Sequence, residues 1–445
     1  MIKKSFLGEF VKYTSFNILG MLGISLYILA DTFFVSNALG TNGLAALNLA
    51  IPVYSFIHGG GLMLGMGSAT KYTIFKIQGD VQQADSTYTN ALKSAAVLSL
   101  FLVLMGVFVS RPISLALGAS EDIFEMTNTY LSVLLFFSPA FILNDILICF
   151  IRNDGNPRLS MAAMLGGSIS NIILDYVFIF PLKMGIFGAV FATGLAPVIS
   201  ILIMSIHFIK KKNGFHLAKV RYSLKAMKNV LALGLPSFIT ELSSGIVIIV
   251  FNSIILCLQG NLGVAAYGII ANISLVVTAI YTGIAQGAQP LISNSFGIGD
   301  YLSIKKLLRY SLSTMSIISL IIYLSIFIFS SPIVAIFNSE NDIRLAEIAS
   351  YGMKLYFSSI LFMGFNIVMF AFFTSIENAF PAHCISLLRG LLLIVPMAYL
   401  LSSLLKLEGV WLSFPLTEGL VAILSIVFYY KLGERTCKDG LNKES

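Results

Sequence analysis

Long apolar runs separated by short polar breaks dominate the chain, and their lengths match a bilayer rather than a soluble core. Twelve such runs fall at 14–36, 44–70, 90–110, 127–150, 158–181, 185–209, 229–256, 263–292, 307–330, 347–373, 380–403 and 409–431. Each reaches the roughly 20 residues that carry an α-helix across a hydrocarbon core about 30 Å thick. The pattern therefore predicts an all-α integral membrane protein with twelve transmembrane helices. Outer-membrane barrels, whose strands alternate over short segments, are excluded. The first run contains Asp31 and lacks a small-residue cleavage pattern, so it is expected to stay as the first helix.

The pattern is also written twice. Gly40, Gly43, Ala45, Ala46, Gly67, Gly79 and Asp80 recur 220 residues later as Gly260, Gly263, Ala265, Ala266, Gly287, Gly299 and Asp300, and Pro112-Ile113 recurs as Pro332-Ile333. Two pseudo-symmetric six-helix lobes are expected, at 1–210 and 229–432, joined by a cytoplasmic linker at 211–228 and followed by a cytoplasmic tail at 433–445. Duplicated bundles of this kind suit rocking about a shared central site.

Composition sharpens the class. The chain is 57% hydrophobic and 11% charged, unlike a soluble domain of this length. Of its 28 Lys and Arg, only Arg111, Lys183, Arg344, Lys354 and Lys406 fall on one side of the predicted spans. The remainder, assigned to span ends and loops on the other side, places both termini in the cytoplasm. The net charge of +7 is thus a topology signal, and no nucleic-acid partner follows. Lys210, Lys211, Lys212, Lys219, Arg221, Lys225 and Lys228 read as a topology-setting linker, with an amphipathic helix on the lipid surface as the rival reading. Cys149, Cys257, Cys384 and Cys437 form no close pair and are expected to be small buried apolar residues. No phosphate-binding loop is present, so any pumping must draw on an ion gradient. The four His are scattered, which speaks against an enzyme, a metal centre or a cofactor.

Acids inside apolar spans are costly and tend to face protein or a watery cavity. Asp31 lies about 9 Å, Asp175 about 10 Å and Thr193 about 12 Å below the outer ends of their spans at the α-helical rise. Asn171 precedes Asp175 by one turn and shares its face. These oxygens suit a hard monovalent cation (H+ or Na+) or a shared proton. Glu241 and Glu418 sit at similar depth in spans seven and twelve, and either bind cation or cargo, or pair with one another through a shared proton or with polar neighbours. Asp145, two turns before Arg152, is expected to make a structural pair or a gate contact. His58 lies beside Gly59, Gly60 and Gly61, and either titrates with the Asp31 site or packs as a neutral ring. The glycines permit close helix approach. Tyr27, Tyr130, Met161 and Met164 are cavity-wall candidates set against plain packing.

Taken in order, Tyr27-x-x-x-Asp31-x-Phe33, Gly40-x-x-Gly43-x-Ala45-Ala46, Gln78-Gly79-Asp80, Arg152-x-x-Gly155-Asn156-Pro157, Asn171-x-x-x-Asp175, Gly234-x-Pro236, Gln289-Pro290 and Gly409-Val410-Trp411-Leu412-Ser413 resemble the multidrug and toxic compound extrusion (MATE) family over nearly the whole chain. The resemblance implies that Asp31, Asn171, Asp175 and Thr193 match the cation site of the family's amino-terminal lobe and that Glu241 matches a membrane-embedded glutamate. It further implies a bacterial multidrug antiporter of the cytoplasmic membrane, monomeric and driven by H+ or Na+, that exports lipophilic, often cationic organic compounds. The chain departs from archaeal members in having no proline between Met1 and Asp31, and its tenth span offers only Glu347 at the outer edge and Asn366 inside. The alternative is a lipid-linked oligosaccharide or polyprenyl-pyrophosphate flippase of the same superfamily. Such cargo would want Arg or Lys inside the cavity, whereas every base is assigned here to a span end or loop.

Overall fold

The computed structural model describes residues 6–338 and 342–433; Lys3, Lys4, Cys437 and residues 434–445 of the expected tail lie outside them. Among the described residues, thirteen α-helices follow in chain order: α1 (Phe6–Ile77), α2 (Val81–Phe108), α3 (Ser110–Ala116), α4 (Glu121–Phe136), α5 (Ser138–Asn153), α6 (Pro157–Ile179), α7 (Gly185–Ile209), α8 (Leu224–Gly297), α9 (Tyr301–Phe337), α10 (Ile343–Tyr356), α11 (Ile360–Ser375), α12 (Ala379–Leu387) and α13 (Ile394–Phe428). Helix is the answer that apolar surroundings force, because every backbone N–H and C=O must then be satisfied within the segment.

Two of these helices are far too long for one crossing. The 72 residues of α1 would run more than 100 Å at ~1.5 Å per residue. They break at Gly40 (φ 64°, ψ −154°), and α8 breaks in the same way at Gly260 (φ 65°, ψ −157°). Only glycine occupies that backbone region without a Cβ clash. The continuous segment from Ala379 to Lys431 breaks at Lys406 (φ 54°, ψ −130°). Among the described residues, nine segments are long and apolar enough to cross a membrane once α4 and α5, bent by 49° at their junction, are taken as one. Dividing three of them at Gly40, Gly260 and Lys406 accommodates the twelve expected passages.

The duplication is visible as repeated local geometry. Gly79 and Gly299 both take positive φ (81° and 75°) to end a helix. The following Asp80 and Asp300 each cap the next helix, accepting a hydrogen bond from the amide of Gln83 and Ser303 respectively. The backbone also leaves the helical region at Val109 and at Phe329, three residues before the paired prolines Pro112 and Pro332.

The chain forms two compact units, one comprising Val11–Leu242 and the other the described parts of Met1–Phe10 and Ser243–Ser445. In the first, Tyr72, Tyr88, Phe150 and Phe215 form an interlocked aromatic cluster with ring centroids 4.7–5.8 Å apart. In the second, buried Trp411 packs on Tyr267 and against Gly352, while Tyr356 stacks on Phe414 at 4.4 Å.

The stretch between α7 and α8 is not a lipid-surface helix up to Tyr222. It runs along α2 instead, where Asp85 accepts from the His216 amide (2.8 Å), Thr89 from the Ala218 amide (2.9 Å), and Lys93 donates to the Val220 carbonyl (2.7 Å). Those polar side chains on α2 offer its backbone partners that lipid cannot.

Candidate functional site

The first unit gathers four polar side chains from three helices. Asp31 on α1, Asn171 and Asp175 on α6 and Thr193 on α7 are all buried. The amide orientation that satisfies both ends of Asn171 has its nitrogen donating to Asp175 Oδ2 (3.0 Å) and its oxygen accepting from the Thr193 amide (3.3 Å). Thr193 spends its own hydroxyl proton on the Ala189 carbonyl at 3.0 Å. Asp31 and Asp175 lie within electrostatic reach of one another, and Tyr130 on α4 feels both charges while hydrogen bonding to Thr193. One oxygen of each acid, Asp31 Oδ1 and Asp175 Oδ1, is buried without a hydrogen-bond donor among the described residues. A buried lone pair in that condition costs on the order of 1–3 kcal/mol unless a proton or cation meets it.

One turn before Asp31, the Tyr27 hydroxyl lies 2.8 Å from that of Tyr54, in the second half of α1. Tyr54 in turn stacks on His58 with centroids 5.8 Å apart and planes 16° off parallel. His58 does not pair with Asp31: its Nδ1 lies 2.9 Å from Asp145 Oδ2 on α5. Asp145 therefore takes a histidine partner from mid-span. Arg152, fully buried two turns on, donates to Asn17 (3.0 Å) and points at Met66 Sδ and Cys149 Sγ. Glu241 lies within electrostatic reach of both His58 and Asp145. Close backbone approach puts it there, since a Cβ on Gly234 would strike the Met63 carbonyl and one on Gly67 the Val230 carbonyl.

Within the second unit Glu418 Oε1 accepts from Arg389 Nη2 (2.8 Å) and Nε (3.1 Å), and its Oε2 accepts from Asn366 (2.7 Å). The Asn366 oxygen is itself satisfied by Ser425 at 3.2 Å. Arg389 is thus a base inside the span, which corrects its assignment to a loop. Its place ten residues into the run that starts at Ala379, about 15 Å along a helix, was the sequence signal for this. Arg152 keeps its expected place at a span end, in the last turn of α5, but is buried there.

The remaining candidates are packing residues or lie elsewhere. Met164 is buried against Gly20, and Met161 is half-buried. Cys149 is buried, but Cys257 is exposed and Cys384 half-buried, so buried packing does not describe all the cysteines. Sequence reasoning overlooked Asp154. It accepts from the Tyr72 hydroxyl (2.6 Å), Lys76, His207 Nε2 (2.9 Å) and the Gly214 amide (2.7 Å) at the end of α5. Burial pushes its carboxyl upward, but the hydrogen bonds from His207, Lys76, Tyr72 and Gly214 outweigh that and hold it below the ordinary aspartate value. Tyr54 was also overlooked, although it precedes His58 by one helical turn.

Comparison with known proteins agrees with the fold. Over 423 residues the chain is 25% identical to the multidrug export protein MepA of Staphylococcus saprophyticus subsp. saprophyticus, covering 95% of this chain and 93% of that one. A crystal structure of MATE in complex with MaL6 superposes with a TM-score of 0.91 at 23% identity, covering 99% of this chain and 98% of the other. The outward-facing conformation of a multidrug resistance MATE family transporter of the MOP superfamily superposes at 0.90, with the same identity and coverage. The MatE family pattern matches residues 17–177 and 236–400, one stretch in each half of the duplication, and the chain therefore belongs to the MatE family.

Proposed function

We propose that this multi-span membrane protein is a cation-coupled multidrug antiporter of the bacterial cytoplasmic membrane, exporting lipophilic and often cationic organic compounds by alternating access, with both termini cytoplasmic. The observation that carries the coupling half is the pair of buried acids, Asp31 and Asp175, each with one carboxylate oxygen lacking a donor among the described residues. A proton or Na+ entering there relieves the repulsion between the acids and meets those lone pairs. Asn171, held by the Thr193 amide of α7, orients Asp175, and the Tyr130 hydroxyl completes a polar wall. The export half is supported by the MepA likeness across both chains.

Coupling requires the ion and the cargo to favour different arrangements of the protein. In this reading Glu241 attracts cationic cargo, whereas Glu418 is charge-compensated by Arg389 and serves as architecture. The embedded Arg389 does not turn the cavity toward pyrophosphate-bearing cargo, because Glu418 already takes two of its donors.

Dye efflux from energised everted vesicles, with sodium and pH gradients imposed separately, tests the proposal and names the ion. Asp31→Asn is expected to abolish gradient-driven efflux while the protein remains folded in the membrane. Undiminished efflux by that variant would remove the coupling site from this pair of acids.

A further inference from the structure

Apart from the Asp31 and Asp175 acids, the first unit holds a second titratable group that the coupling scheme above does not use. His58 lies 2.9 Å from Asp145, with its side chain 18% exposed against 5% for the acid. Glu241 is within electrostatic reach of both. The local sequence makes room for this: a Cβ on Gly61 would come within 2.5 Å of Asp145 Oδ2, and one on Gly59 within 3.2 Å of Glu241 Cβ. Glycines therefore let two acids approach one imidazole from two other helices. Around it stand Tyr54, stacked on the ring, with Asn144 and Cys149 bordering Asp145 and Arg152 beyond Cys149. The Tyr54 hydroxyl contacts that of Tyr27, which feels the charges of Asp31 and Asp175.

We propose that His58, Asp145 and Glu241 form an organic-cation site at which the bound cation displaces a proton from His58. Nδ1 lies 2.9 Å from Asp145 Oδ2; in this scheme the proton on the acid's side is retained, and the Nε2 proton is the one that leaves to water, the side chain being 18% exposed. With both acids ionised, the cluster carries one negative charge when the imidazole is protonated and two when it is neutral. An imidazolium and an organic cation thus compete for the same acids, and each weakens the other by the same factor. No bond other than N–H changes, and the acids keep their charges. Through the Tyr54–Tyr27 hydroxyl contact, the state of this cluster is sensed beside the Asp31 and Asp175 pair.

This inference rests on the proposed handling of organic cations but not on where the driving ion binds. The test uses full-length protein in nanodiscs with 13C-labelled histidine. The His58 resonance is identified by its loss in His58→Gln, and tetraphenylphosphonium is the probe. The expected result is that saturating cation moves the His58 titration midpoint to lower pH by about one unit, and that apparent cation affinity falls by about tenfold in total as the ring goes from neutral to protonated. Glu241→Gln, which keeps the histidine observable, is expected to shrink that shift. A His58 midpoint that is the same with and without bound cation overturns the proposal, even if Asp31→Asn still abolishes driven efflux. If instead the midpoint moves while Asp31→Asn transports normally, this site stands and the coupling assignment falls.

Discussion

Arg389 and Glu418 are joined by two hydrogen bonds, 2.8 and 3.1 Å, in the interior of the second unit, where the carboxylate is 1% exposed. The carboxylate has no bulk water to fall back on, and the guanidinium, 10% exposed, has little. Their mutual compensation is what makes either tolerable at that depth.

Removing one partner should therefore cost more than removing both. Arg389→Met leaves Glu418 with Asn366 as its remaining side-chain donor among the described residues and is expected to destabilise the protein by about 3–5 kcal/mol. Combining it with Glu418→Leu should recover much of that loss. The midpoint of thermal unfolding in detergent measures both variants; a single variant within about 1 kcal/mol of wild type would show that the pair is not desolvated.

Gly61 faces Asp145 so closely that Gly61→Ala must push the acid or its helix aside. Overpacking of this sort costs about 1–3 kcal/mol. The more telling readout is organic-cation affinity, expected to fall in Gly61→Ala and to be little changed in Gly268→Ala, where an added Cβ meets nothing within 4 Å. Equal affinity losses in the two variants would dismiss the close-approach explanation.

A methyl group added at Gly40 or Gly260 would meet no described heavy atom within 4 Å, so substitution there isolates backbone strain from packing. Gly40→Ala and Gly260→Ala should each cost about 1–3 kcal/mol through positive φ alone. Lys406 takes a related conformation with a Cβ present, so Lys406→Gly should stabilise by about 1 kcal/mol. Unfolding midpoints that move in the opposite directions would refute the strain account.

Asp154 ties Gly214 to the end of α5 and thereby holds the segment between the two repeats. Its folded-state carboxyl lies below the ordinary aspartate value, so its contribution is fully present above about pH 4, the unfolded value, and is lost as pH falls through the lower folded one. Acidification should accordingly raise hydrogen exchange at the Gly214 amide before the aromatic cluster opens. Asp154→Asn should raise that exchange at neutral pH and flatten its acid dependence. An exchange rate at Gly214 that is unaffected by the substitution would show that other contacts hold the segment.

Much of the fold was legible because its signals are local. Twelve apolar runs, a 220-residue repeat and the paired Gly-Asp breaks can be read along one dimension, and Gly40 and Gly260 turn out to adopt the same backbone geometry. The grouping of Asn171, Asp175 and Thr193 was likewise visible, as helical spacing and equal depth. The non-helical course of residues 215–222 was not, because a basic run looks alike whether it lies on lipid or is hydrogen bonded to α2.

By itself the sequence determined that the chain is helical, which segments are long and apolar enough to cross a membrane, and which acids those segments carry, since the cost of immersion adds up residue by residue. Tertiary structure alone decided the partners: His58 with Asp145 rather than Asp31, and Glu418 with Arg389. Pairing across helices depends on the rotation of each helix about its axis and on how closely glycines let backbones approach. Neither quantity is written in depth along a single span.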